Sequence, residues 1–249
     1  AVDKNFYRGL RSISKKVDII GAQLFVRPLA HMNFVPDERE VSFDVVPGRI
    51  LVNGPGYCFE LENIPVDVGP ALRYAYLFDG DTNPSNGEII LVLLPILNPV
   101  IRHILKTIRE VDWPVPVEIK FHPSTDRRMC GPERLEQFFV TDKPLPELLP
   151  RARMVVGHGS GTLVEAAALG IPAIDIKYPK TFIQFMPDIG KGILWDQAAS
   201  AEEVARLVRQ FQDVLELDSS RLKKEGSRLR SVCFSKPTDE LIGQAFRVD

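Results

Sequence analysis

The sequence predicts an α/β protein built on a Rossmann-like, doubly wound parallel sheet, and three observations predict it. "EIILVLLP" is a near-continuous apolar run of strand length, the pattern of a strand buried on both faces. From Glu88 onward, such runs alternate with segments of helical period, the β-α order of a parallel sheet with helices on both faces. Finally, "MVVGHGSGT" sets a glycine-rich turn between an apolar run and a helix-like segment, where sheets of this class bind ligands.

The elements follow in order. After the first strand, "NPVIRHILKTIREV" carries Val100, Ile101, Ile104, Leu105 and Ile108 at helical spacing. The strand "VEIKF", a loop with a short helical piece, the strand "QFFVT" and the short helix "LPELLPRA" come next. The strand "MVVG", the helix "TLVEAAAL" and the strand "AIDI" close the regular series, and "GILW" is expected to add one short strand. "SAEEVARLVRQFQDVLEL" reads as an amphipathic helix with Ser200 as N-cap and Glu203 completing a capping box. Its apolar stripe is Val204, Leu207, Val208, Phe211 and Leu215. "SSRLKKEGSRLRSVC" and "TDELIGQAF" are expected terminal helices. The first 65 residues differ: strands such as "VDIIG" and "RILVNG" are joined by a long loop with Pro28, Pro36 and Pro47, too little for a complete doubly wound domain.

Composition narrows the function classes. The 249 residues are 45% hydrophobic and 26% charged, ordinary for a soluble globular protein. A formal charge of -2 argues against a general nucleic-acid binder. The longest apolar run, "IILVLLPIL", is too short to span a bilayer as a helix. The start "AVDKNFYRGL" has no signal-peptide pattern and no initiator Met, so an excised or processed piece is expected. Cys58, Cys130 and Cys233 are odd in number, widely spaced and without zinc-ligand spacing, which suggests reduced thiols in a cytosolic protein.

The turn "GHGSGT" carries the chemistry. Gly157, Gly159 and Gly161 let backbone approach a phosphate, Ser160 and Thr162 add hydroxyls, and the following helix N-terminus offers N–H groups and a positive dipole end. It is no P-loop, since the Gly-Lys-Ser/Thr sequence is missing, and it stands on a late βα unit, unlike a dinucleotide fingerprint. A tight turn with glycines for packing alone is the structural alternative. Glu165, expected in the first helical turn, either favours the helix dipole or accepts from a ribose diol beside the phosphates. "VEIKFHPSTD" puts His122, Pro123 and Ser124 at the carboxyl end of an earlier strand, on the same rim; His122 could donate to a phosphate, and Pro123 stiffens its loop.

At these residues the sequence resembles a known family. The glycine turn followed by "LVEAAALGIPAI" resembles the nucleotide-sugar lobe of GT-B glycosyltransferases, in which a Glu in a Glu-Ala-x-x-x-Gly-x-Pro context holds the donor ribose; Glu165, Ala166, Gly170 and Pro172 match it. UDP-N-acetylglucosamine 2-epimerases share that pattern. The pair His122-Pro123 resembles the His-Pro motif of bacterial sialyltransferases, polysialyltransferases and Kdo transferases, which use CMP-activated acidic sugars; CDP-glycerol-dependent polymerases carry a similar pair. In the CMP-dependent enzymes the His-Pro loop and a later hydroxyl-rich turn together hold the CMP, and here Ser160 and Thr162 would form that turn. Upstream, "GAQ" and the stretch from "RILVNGPGYCFELENI" to "PVDVGPALRYAYL" look like the crossover between acceptor and donor lobes in surface-polysaccharide biosynthesis proteins. The resemblance covers roughly Gly48 to the C-terminus. Two departures stand: most of a first lobe is missing, and the catalytic base, which lies there in the CMP-dependent relatives, has no counterpart that can be named.

The resemblance implies a partial N-terminal, acceptor-side segment with its crossover at 1–65 and a nucleotide-sugar-binding Rossmann-like domain at 66–249. It implies transfer of a sugar, Kdo or sialic acid, from a CMP-linked donor to a saccharide acceptor. The nucleotide-sugar residues would be His122, Pro123, Ser124, Gly159, Ser160, Gly161, Thr162 and Glu165, with Arg73 and Lys177 as further candidates and Tyr178 facing the same rim. No metal, cofactor or nucleic acid is expected. The expected location is cytoplasmic, with peripheral attachment at the inner face of the membrane, or an assembly partner, as a further option. A UDP-N-acetylglucosamine 2-epimerase-like enzyme and a non-catalytic nucleotide-binding or scaffold domain are the alternatives. "LFDGDTNPSNGE", with Asp79 and Asp81, reads as plain turn formers rather than a metal loop, lacking the Glu that a calcium loop needs at its twelfth position. His31 and His103 are expected at the surface or on a helix face without a partner.

Overall fold

Non-local pairing decides how the chain divides. The computed structural model describes residues 2–13, 18–28, 36–80, 84–130, 135–181 and 183–246. His31 and Asp81 lie outside them, as does the Cys130 side chain. Contacts group Ala1–Phe78 with Ser231–Asp249 as one unit and Asp79–Arg230 as the other. The boundary expected at 65/66 therefore stands beside a different partition, in which residues 66–78 and the last 19 go with the first segment.

The first unit holds helix α1 (Val2–Ile13), strand β1 (Ile20–Ala22), helix α2 (Glu38–Ser42), β2 (Arg49–Val52), β3 (Val66–Val68) and a 3-10 segment over Leu72–Phe78. α2 starts on a full capping box, with Asp37 accepting from the Glu40 amide and the Glu40 carboxylate accepting from the Asp37 amide. β1, β2 and β3 form a parallel sheet in that order. The return segment is bonded to the chain just beyond β2, where the Ser235 amide donates to the Asn53 carbonyl at 2.6 Å and the Ala71 amide to the Ser235 carbonyl at 3.0 Å. Phe234 packs on Tyr74, ring centroids 4.7 Å apart. Cys58 is free and exposed; Cys233 is free and buried, and burial pushes its thiol up to about 11, so it stays protonated and inert at neutral pH.

The second unit is the α/β sheet the periodicity predicts. Its elements are β4 (Ile89–Leu94), α3 (Asn98–Arg109), β5 (Val117–Phe121), β6 (Phe139–Thr141), α4 (Leu145–Leu148), β7 (Ala152–Gly157), α5 (Gly161–Ala168), β8 (Ala173–Ile176), β9 (Trp195–Ala198) and α6 (Ala201–Leu217). Helix α7 (Ser219–Cys233) leads out of the unit, and α8 (Asp239–Phe246) lies in the first. The six strands are parallel throughout, in the order β6-β5-β4-β7-β8-β9. All six residues of β4 are buried, as a near-centre strand covered on both faces must be. α3 buries the whole predicted stripe, Val100, Ile101, Ile104, Leu105 and Ile108, and α6 buries Val204, Leu207, Val208, Phe211 and Leu215.

Two local readings are corrected. The last strand is not "GILW" but Trp195–Ala198, sharing only Trp195 with it. Gly190 and Gly192 stand at φ +72° and +79°, which turns the apolar run into a bend whose Leu194 is buried without pairing as a strand. The capping box of α6 is half as expected. Ser200 Oγ accepts from the Glu203 amide at 3.2 Å, but the Glu203 carboxylate takes the Ala199 amide, at 2.6 Å, rather than that of Ser200.

The end of α5 explains half of the Glu-Ala-x-x-x-Gly-x-Pro motif without any ligand. Gly170, at φ +78°, follows the helix; its amide donates to the Ala167 carbonyl, and that of Ile171 reaches back to Ala166. That pair of bonds is a Schellman cap, which wants glycine at this place. Gly226 of α7 lies against it: a Cβ there would stand 2.5 Å from the Gly170 nitrogen.

Candidate functional site

The strand order locates the site. The chain enters the sheet at β4, steps outward to β5 and β6, then returns to the other side of β4 for β7, β8 and β9. Right-handed crossovers then send α3 and α5 to opposite faces, opening a crevice at the carboxyl ends of β4 and β7. The glycine turn leaves β7 at that crevice, and the His122 loop leaves β5, on the far flank of β4.

The glycine turn is short and braced from behind. Gly159 takes φ +47°, and its amide donates to Asp175 Oδ1 at 2.9 Å. Ser160 is the N-cap of α5, its Oγ accepting from the Thr162 amide at 3.2 Å, which leaves the Ser160 hydroxyl hydrogen available to another acceptor. Asp175 lies in β8, 4% exposed, with Oδ2 accepting from Gln197 Nε2 of β9 at 3.1 Å. Burial raises its carboxyl above the ordinary range, opposed by the Gly159 and Gln197 bonds and by His158 and Lys177.

His158, 8% exposed, ties three segments together. Its Nδ1–H donates to the Ile176 carbonyl at 2.7 Å, leaving Nε2 to accept from the Thr181 hydroxyl, also at 2.7 Å. The Tyr178 ring stands edge-on to it at 6.3 Å. The expectation that His103 has no partner is corrected: Nε2 contacts the Lys177 carbonyl at 3.0 Å, and its ring meets Tyr178 at 5.5 Å.

The His122 loop is held by one backbone bond to β4 and by short-range side-chain bonds. The His122 amide continues the ladder by donating to the Leu94 carbonyl at 3.0 Å, and Thr125 Oγ1 donates to the Pro95 carbonyl at 3.2 Å. The Ser124 amide donates to His122 Nδ1 at 3.1 Å, so the ring proton sits on Nε2, a donor with no hydrogen-bond partner among the described residues. His122, Pro123 and Ser124 are all exposed.

The expected residues fall as follows. His122, Pro123, Ser124, Gly159, Ser160, Gly161, Thr162 and Lys177 stand at or just beyond the carboxyl ends of β5, β7 and β8, on one rim of one sheet. Lys177 is exposed. Glu165 is half-buried and lies in the second turn of α5, not the first, because the helix begins at Gly161; the dipole effect fades within the first turn, so a helix-start role is weakened. Arg73 is exposed and belongs to the other unit. Sequence reasoning missed His158, Asp175, Thr181 and Gln197. The signal that could have raised Asp175 was a carboxylate inside the apolar strand "AIDI" directly after a glycine turn. Among the described residues no three His, Cys, Asp or Glu side chains gather as a metal site, and no helix is long and apolar enough to cross a membrane.

Fold and rim together define a class, an α/β protein of Rossmann-like parallel sheets. Among solved structures the chain is similar to Acinetobacter baumannii MurG, with a TM-score of 0.52 at 12% identity over 96% of this chain and 70% of that one. It is also similar to the wall teichoic acid polymerase TagF, with a TM-score of 0.51 at 9% identity over 92% and 65%. These neighbours are GT-B glycosyltransferases, and at such identities the likeness shows the fold: the chain has a GT-B-type fold. It spans about two thirds of the length of each. No protein-family model matches the sequence, and no curated protein matches it.

Proposed function

We propose that this chain is the donor-binding part of a GT-B glycosyltransferase of surface polysaccharide synthesis, and that its donor is a CMP-linked acidic sugar such as Kdo or sialic acid. The reading rests above all on the glycine turn, which leaves β7 where the strand order reverses, with the His122 donor on the same rim. The donor phosphate lies on the N-terminus of α5, against first-turn amides and the hydroxyls of Ser160 and Thr162, with His122 Nε2–H as a second donor. Glu165 accepts from the ribose diol, and Lys177 adds positive charge. During transfer the bond from the anomeric carbon to the phosphate oxygen breaks as a saccharide acceptor oxygen bonds to that carbon. The amides and hydroxyls stabilise the charge developing on the departing CMP. Residues 1–65 are the acceptor-side segment, and this reading places the chain at the inner face of a membrane.

Calorimetry with CMP, UDP and CDP on this chain tests the reading. CMP should bind most tightly and raise the unfolding free energy by about 2.7 kcal/mol at 100 times its dissociation constant. A preference for UDP would favour an epimerase-like enzyme, a preference for CDP a polymerase-like one, and no binding of any of the three a scaffold.

A further inference from the structure

A buried carboxylate directly behind an anion-binding turn needs a reason. Asp175 stands on β8 between β7 and β9, with every residue of β8 buried. Neither oxygen is idle: Oδ1 accepts the Gly159 amide and Oδ2 the Gln197 side chain. The nearest group able to carry positive charge is His158, whose Nδ1 stands 3.9 Å from Oδ1 but is spent on the Ile176 carbonyl. A carboxylate so placed repels an incoming phosphate, and burying it has a cost that a neutral side chain avoids.

What Asp175 supplies is geometry. Gly159 is the left-handed residue of the turn, and its amide ties the turn to the Asp175 side chain in the sheet behind it. With that amide pointed inward, the chain beyond it emerges with Ser160 at the cap and Gly161 and Thr162 opening the helix. His158 adds a second tether on the residue before, through Ile176 and Thr181. Gly159 also packs on Ile183, its Cβ position 3.4 Å from that side chain, so the segment after β8 rests on the same bend.

We propose that Asp175 is the positioning residue of the glycine turn, holding Gly159 so that the Ser160–Thr162 segment meets the donor phosphate in one fixed arrangement. The role rests on the proposed donor site, though the tether itself does not. Two substitutions separate geometry from charge. Asp175→Asn keeps an acceptor for the Gly159 amide, and the Gln197 amide can turn over to offer its oxygen to the new NH2 group. Asp175→Leu, similar in size and suited to a buried strand, removes both acceptors.

Amide exchange at Gly159, followed by NMR, and calorimetry with CMP and cytidine are measured on the parent and both variants. In Asp175→Leu the Gly159 amide should exchange faster, and the ratio of CMP to cytidine affinity should fall by about tenfold or more. Asp175→Asn should keep both near the parent's values or strengthen CMP binding. A merely structural role would lower thermal stability in Asp175→Leu and leave the affinity ratio unchanged, which overturns the proposal. So does failure of Asp175→Leu to fold, or equal loss of CMP binding in both variants. A parent that binds neither CMP nor cytidine sinks the donor-site reading instead, and the Gly159 exchange rates still report whether the tether exists.

Discussion

The glycine turn and the His-Pro loop stand on one rim, either side of β4, and are held in opposite ways. The turn is pinned from inside the sheet by two buried side chains, Asp175 and His158, and by an N-cap. The loop is pinned at its surface, by the His122 amide on the Leu94 carbonyl and the Thr125 hydroxyl on the Pro95 carbonyl, and keeps His122, Pro123 and Ser124 exposed. A ligand-binding rim can thus combine a segment whose shape belongs to the core with one whose side chains are free to serve a ligand. Substitutions in the turn should disturb folding and binding together, whereas substitutions in the loop should disturb binding alone.

The largest effect is expected at Glu165, on the helix leaving the turn. Glu165→Gln should weaken nucleotide binding by about 1.5–3 kcal/mol, the range for hydrogen bonds to a charged group, in a calorimetric titration. Unfolding without ligand should change by less than about 1 kcal/mol, since Glu165 stands past the first turn. A loss of stability with unchanged binding would make Glu165 a helix residue only.

Next comes Gly159. Gly159→Ala puts a side chain at φ +47° and should cost about 1–2 kcal/mol of stability, read as a lowered denaturant midpoint at unchanged slope. An unchanged midpoint would mean that the turn is not held by the core and would erase the contrast with the loop. Ser160→Ala removes the N-cap acceptor of the Thr162 amide and should cost about 1 kcal/mol by thermal unfolding. On the loop side, His122→Ala should leave stability within about 0.5 kcal/mol while reducing affinity for CMP more than for cytidine. Equal losses for both ligands would assign His122 to the nucleoside, and a large loss of stability would show the loop to be as deeply anchored as the turn.

The subtlest effect is in pH dependence. Burial raises the Asp175 carboxyl above its ordinary range, so folding favours the protonated form. The stability that such a group contributes is fully present below the unfolded value, about 3.9, and is lost as pH rises through the raised folded value. Asp175→Asn has no such ionisation. Its stability relative to the parent should therefore rise between acid and neutral pH, as read by urea unfolding at each pH; a flat difference would mean that the Gly159 and Gln197 bonds cancel the burial.

Much of the α/β unit was legible because its signals are local. "VEIKF" and "AIDI" coincide with β5 and β8, since a buried strand flanked by turns needs only its own residues to be seen. The buried stripes of α3 and α6 were read from helical spacing for the same reason. β3, three residues long, makes sense only beside β2, and the grouping of residues 231–249 with the first segment depends on Ser235 reaching Asn53. At the site, glycines and hydroxyls announced the turn. What braces it was hidden, because Asp175 reaches Gly159 only once β7 and β8 lie side by side, and its burial depends on the assembled sheet. The turn in which Glu165 lies was misjudged by one because it hung on a single residue, the helix start at Gly161.

The meeting of Gly170 and Gly226 constrains how this protein can change. Most packed pairs drift together over time, one side chain shrinking as its neighbour grows. Here both partners are already the smallest residue there is, and Gly170 also carries the left-handed cap of α5. Any enlargement of Gly226 drives a carbon into the main chain of Gly170, where no substitution can make room. The contact between α5 and α7 has no compensating neighbour in sequence space. A lineage that loses either glycine has to rebuild the seam between the two helices, and the helix that follows the glycine turn is one side of that seam.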